Sequence, residues 1–235
     1  MIRAILFDSG KVLNYPAMGN WFISPQFFDI VDADIFKGIS RKKVHCAFRN
    51  AEKYISGILH IQDKSAELMR FTEFYRIFSN CLPELKLDQS RIESLAKDLV
   101  NNPKKYIFYS DVFSVIPELN KKYKLGIVSD AWPSLVDVYE NANLKKYFST
   151  VIISSVLGTQ KPDRRMYETA LEDLHVRPQE TIFIDDNDKN CAGAKQVGIT
   201  PYLLCRSLKG AGTLRLLEKF KRYRVINSLN SLRDL

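Results

Sequence analysis

Cysteine and histidine are sparse in this chain, four of one and three of the other in 235 residues. Cys46, Cys81, Cys191 and Cys205 form no CxxC pair, and His45, His60 and His175 are scattered, so zinc-site spacing is absent. The adjacent His45 and Cys46 read as part of a helix surface or core. Long apolar runs are also missing; none approaches the roughly eighteen residues of a membrane span. The N-terminal MIRAILFDSG lacks the longer apolar region and small-residue cleavage site of a secretory signal. It is read as the first strand of the fold, and the protein is expected in the cytoplasm. Repeats and low-complexity segments are absent as well, which sets repeat architectures aside.

What is present is ordinary for a globular protein: 46% hydrophobic and 26% charged residues. The length allows one large domain, or one domain with a sizeable insertion. The formal net charge is +8, and basic residues cluster between Arg206 and Arg224, where Glu218 is the sole acid. Within that stretch Leu214, Leu217 and Phe220 have helical apolar spacing. The segment is read as a solvated surface helix with one face in the core, rather than a nucleic-acid or membrane binder. Excess positive charge would also attract an anionic substrate.

Short apolar runs at Ala4–Phe7, Leu125–Val128, Val151–Ile153, Ile182–Ile184, Tyr202–Cys205 and Arg224–Ile226 read as buried strands. Helical patterns at Val115–Lys122, Ser134–Asn141, Arg165–His175 and Asn190–Val197 separate most of the later ones. Such alternation predicts an α/β fold, a doubly wound parallel sheet covered on both faces. The stretch from Tyr15 breaks the pattern and reads as helices over Pro25–Val31, Arg41–Ser56, Lys64–Asn80 and Gln89–Val100. Phe71, Phe74, Tyr75 and Phe78 make an apolar stripe within it. The expected division is an α/β core of residues 1–14 and 105–235 with a helical insertion, residues 15–104.

Four polar constellations stand at predicted strand ends: Asp8 after AILF, Ser129 and Asp130 after LGIV, Lys161 in GTQKPD, and Asp185 and Asp186 after TIFI. Parallel strands share one C-terminal edge, so these groups should converge there. Three clustered carboxylates repel one another, and a divalent cation relieves that; oxygen-only ligands favour Mg²⁺. A lysine and a hydroxyl at a strand–helix turn suit a phosphate. A carboxylate beside them is a candidate nucleophile.

On these residues the chain resembles the haloacid dehalogenase-like (HAD) hydrolase superfamily. FDSGKVL around Asp8 matches its first motif, GIVSDA around Ser129 its second, GTQKPDRRMYETAL around Lys161 its third, and IDDNDKN at Asp185–Asp186 its fourth. The resemblance implies a Rossmann-like core with the helical insertion as a cap. It also implies phosphatase chemistry on a small phosphorylated metabolite. Asp8 would form an aspartyl-phosphate. Mg²⁺ would be held by Asp8, the Gly10 carbonyl and the Asp185–Asp186 pair, with the direct ligand of that pair left open. Ser129 would bond a phosphoryl oxygen, aided by the backbone at Ser9, Gly10 and Asp130. Lys161 would neutralise charge, and Asn190 would shape the loop. The departure is Gly10, where family phosphatases usually carry an aspartate that serves as general acid and base. A missing general acid costs about 10²–10⁴-fold in rate, least for leaving groups that need no proton. Lys11, where the family often has glycine, is a second departure; it either adds positive charge at the pocket mouth or points to solvent, and solvent is the favoured reading. Two other readings are a dehalogenase of the same superfamily, which needs no protonated leaving group, and a weakly catalytic or non-catalytic binding protein.

Overall fold

The structure, a computed structural model, describes residues 1–208, 211–221 and 223–235. Its strands are β1 (Ala4–Phe7), β2 (Asn14–Pro16), β3 (Tyr106–Phe108), β4 (Lys124–Ser129), β5 (Thr150–Ile153), β6 (Thr181–Asp185), β7 (Thr200–Leu204) and β8 (Arg224–Ile226). The helices are α1 (Phe27–Ile30), α2 (Ala33–Gly38), α3 (Arg41–Ser56), α4 (Lys64–Cys81), α5 (Gln89–Asn101), α6 (Ser110–Leu119), α7 (Leu135–Asn141), α8 (Ser154–Leu157), α9 (Arg164–Leu174), α10 (Asp188–Gln196) and α11 (Ala211–Lys221). None of the described helices is long and apolar enough to cross a membrane.

The chain divides into two units, one of Met1–Tyr15, Phe108–Ala131 and Tyr139–Leu235, the other of Pro16–Ile107 and Trp132–Val138. The first holds a parallel sheet in the order β5-β4-β1-β6-β7-β8. β1 is central and wholly buried, as a run of four apolar residues with no polar position requires. Strand order reverses beside β1, which places the C-terminal ends of β1, β4 and β6 at the crevice of an open α/β sheet. Gly126 lets β4 pack closely, because a Cβ there would lie 2.7 Å from Leu6 and 2.8 Å from Thr150.

The second unit is helical. Asp32, Ser40, Asp63 and Asp88 cap α2, α3, α4 and α5 by accepting backbone N–H bonds in the first turn. The stripe Phe71, Phe74, Tyr75 and Phe78 is buried in this unit's core.

Some sequence expectations differ from the structure. The helix expected over Val115–Lys122 runs from Ser110 to Leu119, with Pro117 inside it. The segment Trp132–Val138, assigned by sequence to the α/β core, groups with the helical unit. Its Ser134 gives both its backbone N–H and its hydroxyl to Glu67, at 2.8 and 2.5 Å, and Lys105 Nζ donates to the same hydroxyl at 2.5 Å. In the late basic helix, Leu214 and Leu217 pack on Cys191, Leu203 and Val225, but Phe220 is 75% exposed. Tyr223 packs against that cluster instead. Lys209 and Arg222 of the basic cluster lie outside the described residues.

Candidate active site

β1 and β6 are hydrogen-bonded neighbours, with Phe7 opposite Ile184. Asp8 follows β1 and Asp185 closes β6, and the Asp8 N–H continues the ladder onto the Ile184 carbonyl at 2.8 Å. Asp8 and Asp185 therefore stand side by side at the sheet edge. One oxygen from each of Asp8, Asp185 and Asp186 falls in a cluster no wider than 4.8 Å. Lys161 enters from the loop before α9. Its Nζ donates to Asp8 Oδ1 at 2.6 Å and to Asp185 Oδ2 at 2.9 Å, with its side chain 1% exposed. The Lys161 backbone N–H donates to Asp130 Oδ1 at 2.9 Å, so the carboxylate after β4 holds the lysine loop. Ser129, the last residue of β4, is buried at the same edge.

The electrostatics follow from one buried cation facing several carboxylates. Burial pushes the Asp8 carboxyl up; Lys161 opposes this, Asp185 and Asp186 reinforce it, and the result is about 7. Burial raises Asp186 and Asp130 too, with Asp185 adding to both; Lys11 and then Lys161 oppose it at Asp186, and Lys161 opposes it at Asp130. Burial disfavours the Lys161 ammonium, but Asp8, Asp185 and Asp130 outweigh it and hold its pKa above that of an ordinary lysine. The cluster is thus short of positive charge. Its donors are oxygens, and that set fits Mg²⁺.

Asp185 is wholly buried and both its oxygens are engaged. Oδ1 accepts the Asn187 N–H at 2.7 Å; Oδ2 accepts Lys161 and, at 3.0 Å, Asn190 Nδ2. Asp186 is more open, its side chain 29% exposed, with Lys11 Nζ 3.9 Å away. Lys11 has φ of 59°, the left-handed region, so a glycine at this position would relieve strain. Its side chain is 66% exposed.

The Ser9 hydroxyl is already engaged: it bonds Tyr139 Oη at 2.8 Å and accepts from Asn14 Nδ2 at 2.7 Å. What Ser9 and Gly10 can offer a ligand is backbone. Trp132 belongs to packing, its ring 4.9 Å from that of Phe71.

Sequence reasoning missed two supports of this edge. Gly193 lets α10 approach the Lys161–Pro162 turn, where a Cβ would lie 2.6 Å from Pro162 Cβ and 2.9 Å from its carbonyl. Arg206 donates to the Val12 carbonyl at 2.6 and 3.2 Å, and its Nη1 and Nη2 reach the Asp111 carboxylate at 3.0 and 3.1 Å. A glycine inside a helical pattern was a usable signal for the first; nothing local marks the second.

A family profile described as "Haloacid dehalogenase-like hydrolase" matches residues 44–203. The chain is 28% identical over 137 residues to the phosphoserine phosphatase of Thermus thermophilus, covering 57% of this chain and 55% of that protein. It is 28% identical over 126 residues to the pyrophosphatase PpaX of Bacillus mycoides, covering 53% and 57%. The chain thus spans about half the length of the curated relatives it matches. Among solved structures, a 2-haloacid dehalogenase from Pseudomonas syringae pv. tomato superposes with a TM-score of 0.65 at 16% identity, covering 100% of this chain and 97% of that one.

Proposed function

The chain belongs to the haloacid dehalogenase-like hydrolase family, and on that premise we propose that it is a phosphatase acting on a small phosphorylated metabolite through Asp8. One observation carries the reading: buried Lys161 bonds both buried Asp8 and buried Asp185, in a group of three carboxylates that Asp186 completes. A lysine so placed both orients a nucleophilic carboxylate and offsets the charge of an incoming phosphoryl group.

Asp8, Asp186 and the Gly10 carbonyl would hold Mg²⁺, with Asp185 behind them. Asp186 is the better direct ligand of the pair, since both Asp185 oxygens already accept hydrogen bonds. The cation, when bound, supplies charge neutralisation at the phosphoryl group.

In the proposed reaction an Asp8 oxygen forms a bond to phosphorus as the bond to the leaving oxygen breaks, and that oxygen departs with the electron pair. Ser129 and the Ser9 and Gly10 N–H groups would bind the phosphoryl oxygens. Water then attacks phosphorus and releases Asp8. No side chain at Gly10 can protonate the leaving group, so weakly basic leaving groups, aryl oxides or phosphate itself, are favoured. The helical unit is proposed as the cap that selects the substrate.

The test is Mg²⁺-dependent hydrolysis of p-nitrophenyl phosphate, whose aryl leaving group needs no proton. Activity is expected in the wild type and a loss of at least about 10³-fold in Asp8→Asn. Equal rates in the two proteins would remove Asp8 as nucleophile. Gly10 favours one second reading, displacement of halide from carbon, which also needs no acid. Halide release from a 2-haloacid without phosphate release would select it.

A further inference from the structure

The turn after Asp8 closes on one residue. The Ser9 carbonyl accepts the N–H groups of Leu13 at 2.8 Å and Asn14 at 3.1 Å, and the Lys11 N–H reaches the Asn14 carbonyl at 2.6 Å. Lys11 sits in the left-handed region, so the turn keeps a strained residue at its tip. Arg206 holds the Val12 carbonyl and the Tyr109 N–H the Leu13 carbonyl, at the far side of the turn; beside Asp8 the anchor is the Ser9 hydroxyl, held between Asn14 Nδ2 at 2.7 Å and Tyr139 Oη at 2.8 Å. Tyr139 Oη lies 3.4 Å from Asn14 Nδ2 as well, which closes a buried triangle. Ser9 is 2% exposed, and Asn14 and Tyr139 are fully buried.

Aromatic packing keeps the phenol in place. The Tyr139 ring meets Phe108 edge-on at 5.0 Å and Phe148 edge-on at 5.6 Å. Phe148 in turn stands edge-on to Phe7, the residue before Asp8, at 6.3 Å. The nucleophile is therefore flanked by two residues, Phe7 and Ser9, that both trace back to Tyr139.

We propose that Tyr139 is a positioning residue for the turn that carries Asp8, Ser9 and Gly10, acting through the Ser9 hydroxyl. The catalytic part of this rests on the reading of Asp8 as nucleophile. The hydroxyl fixes where the Ser9 and Gly10 backbone groups point, and through them the line along which Asp8 attacks. Loss of positioning of this kind costs up to about 10²-fold in rate for a displacement near 1 Å.

Tyr139→Phe deletes one oxygen and leaves the ring packing. The expected result is a kcat on p-nitrophenyl phosphate lower by about tenfold, with KM within about twofold. Hydrogen exchange at the Leu13 and Asn14 amides should be faster, with Tm nearly unchanged. Ser9→Ala/Tyr139→Phe should be no slower than the slower single variant, because both remove the same contact. A kcat within twofold of wild type overturns the proposal. So does a rate loss matched by a lower Tm and faster exchange throughout the chain, which marks a merely structural tyrosine. If the wild type hydrolyses no phosphate ester, the nucleophile reading fails on its own. Exchange then decides the remaining claim: faster exchange confined to residues 8–14 in Tyr139→Phe upholds the anchoring role, and unchanged exchange ends it.

Discussion

At residue 10 a side chain is absent where the proposed chemistry would use one. In the proposed reaction Asp8 and Lys161, bonded at 2.6 Å, would supply a nucleophile and a counter-charge, yet Gly10 offers backbone alone. Gly10→Asp should restore a proton donor, and its benefit should depend on the leaving group. Turnover of alkyl phosphates is expected to rise at least about tenfold, against little change for p-nitrophenyl phosphate, measured as kcat/KM on matched substrates. Equal effects on both would point to a bottleneck other than protonation. Lys11 illustrates the opposite case, in which an unexpected residue costs backbone strain and sets a largely exposed charge 3.9 Å from Asp186. Both oddities were visible in the sequence; that Lys11 occupies a positive-φ position was not, because dihedral angles are set by how the turn closes.

Among the elements, α10 is fitted closely against the site. Asn190 on this helix bonds Asp185 at 3.0 Å, and its backbone carbonyl accepts the Tyr167 hydroxyl at 2.8 Å. Gly193 allows the approach to Pro162. Gly193→Ala would drive a methyl group into a ring and a carbonyl that cannot swing aside. A loss of about 1–3 kcal/mol in unfolding free energy is expected from denaturant melts, together with lower activity. Gly212→Ala in α11 is the control: nothing lies within 4 Å of its Cβ, and relief from glycine entropy should stabilise by about 0.5–1 kcal/mol. Element existence was legible wherever apolar runs or caps were strong, as in β1, α3, α4 and α5. The short elements α2, α8, β2 and β3 were not, because three to six residues carry too little periodicity.

At the scale of the whole molecule, the C-terminal residues reach the site turn through Asp111. Its carboxylate takes Arg206 twice, the Ser228 hydroxyl at 2.9 Å and the Leu229 N–H at 3.0 Å, while Arg206 holds the Val12 carbonyl. Burial acts to raise the Asp111 carboxyl, but Arg206, Leu229 and Ser228 outweigh it and leave it below its usual value. A depressed carboxyl contributes stability that is complete above its unfolded value, about 3.9, and is lost as pH falls through the folded value. Asp111→Asn should therefore lower Tm at neutral pH, and the gap from wild type should close below about pH 4 in thermal melts. A gap unchanged at pH 3 would show that the carboxylate charge is not the source.

The sequence by itself determined the α/β class and the four polar motifs at strand ends. Apolar periodicity and strand ends are local properties, and parallel strands share one edge. Tertiary structure alone decided that Trp132–Val138 joins the helical unit, that the Ser9 hydroxyl turns towards Tyr139, and that Arg206 clasps Val12. Those outcomes depend on groups 130 and 194 positions apart finding each other, and on the burial that makes a lone hydroxyl or carboxylate require a partner.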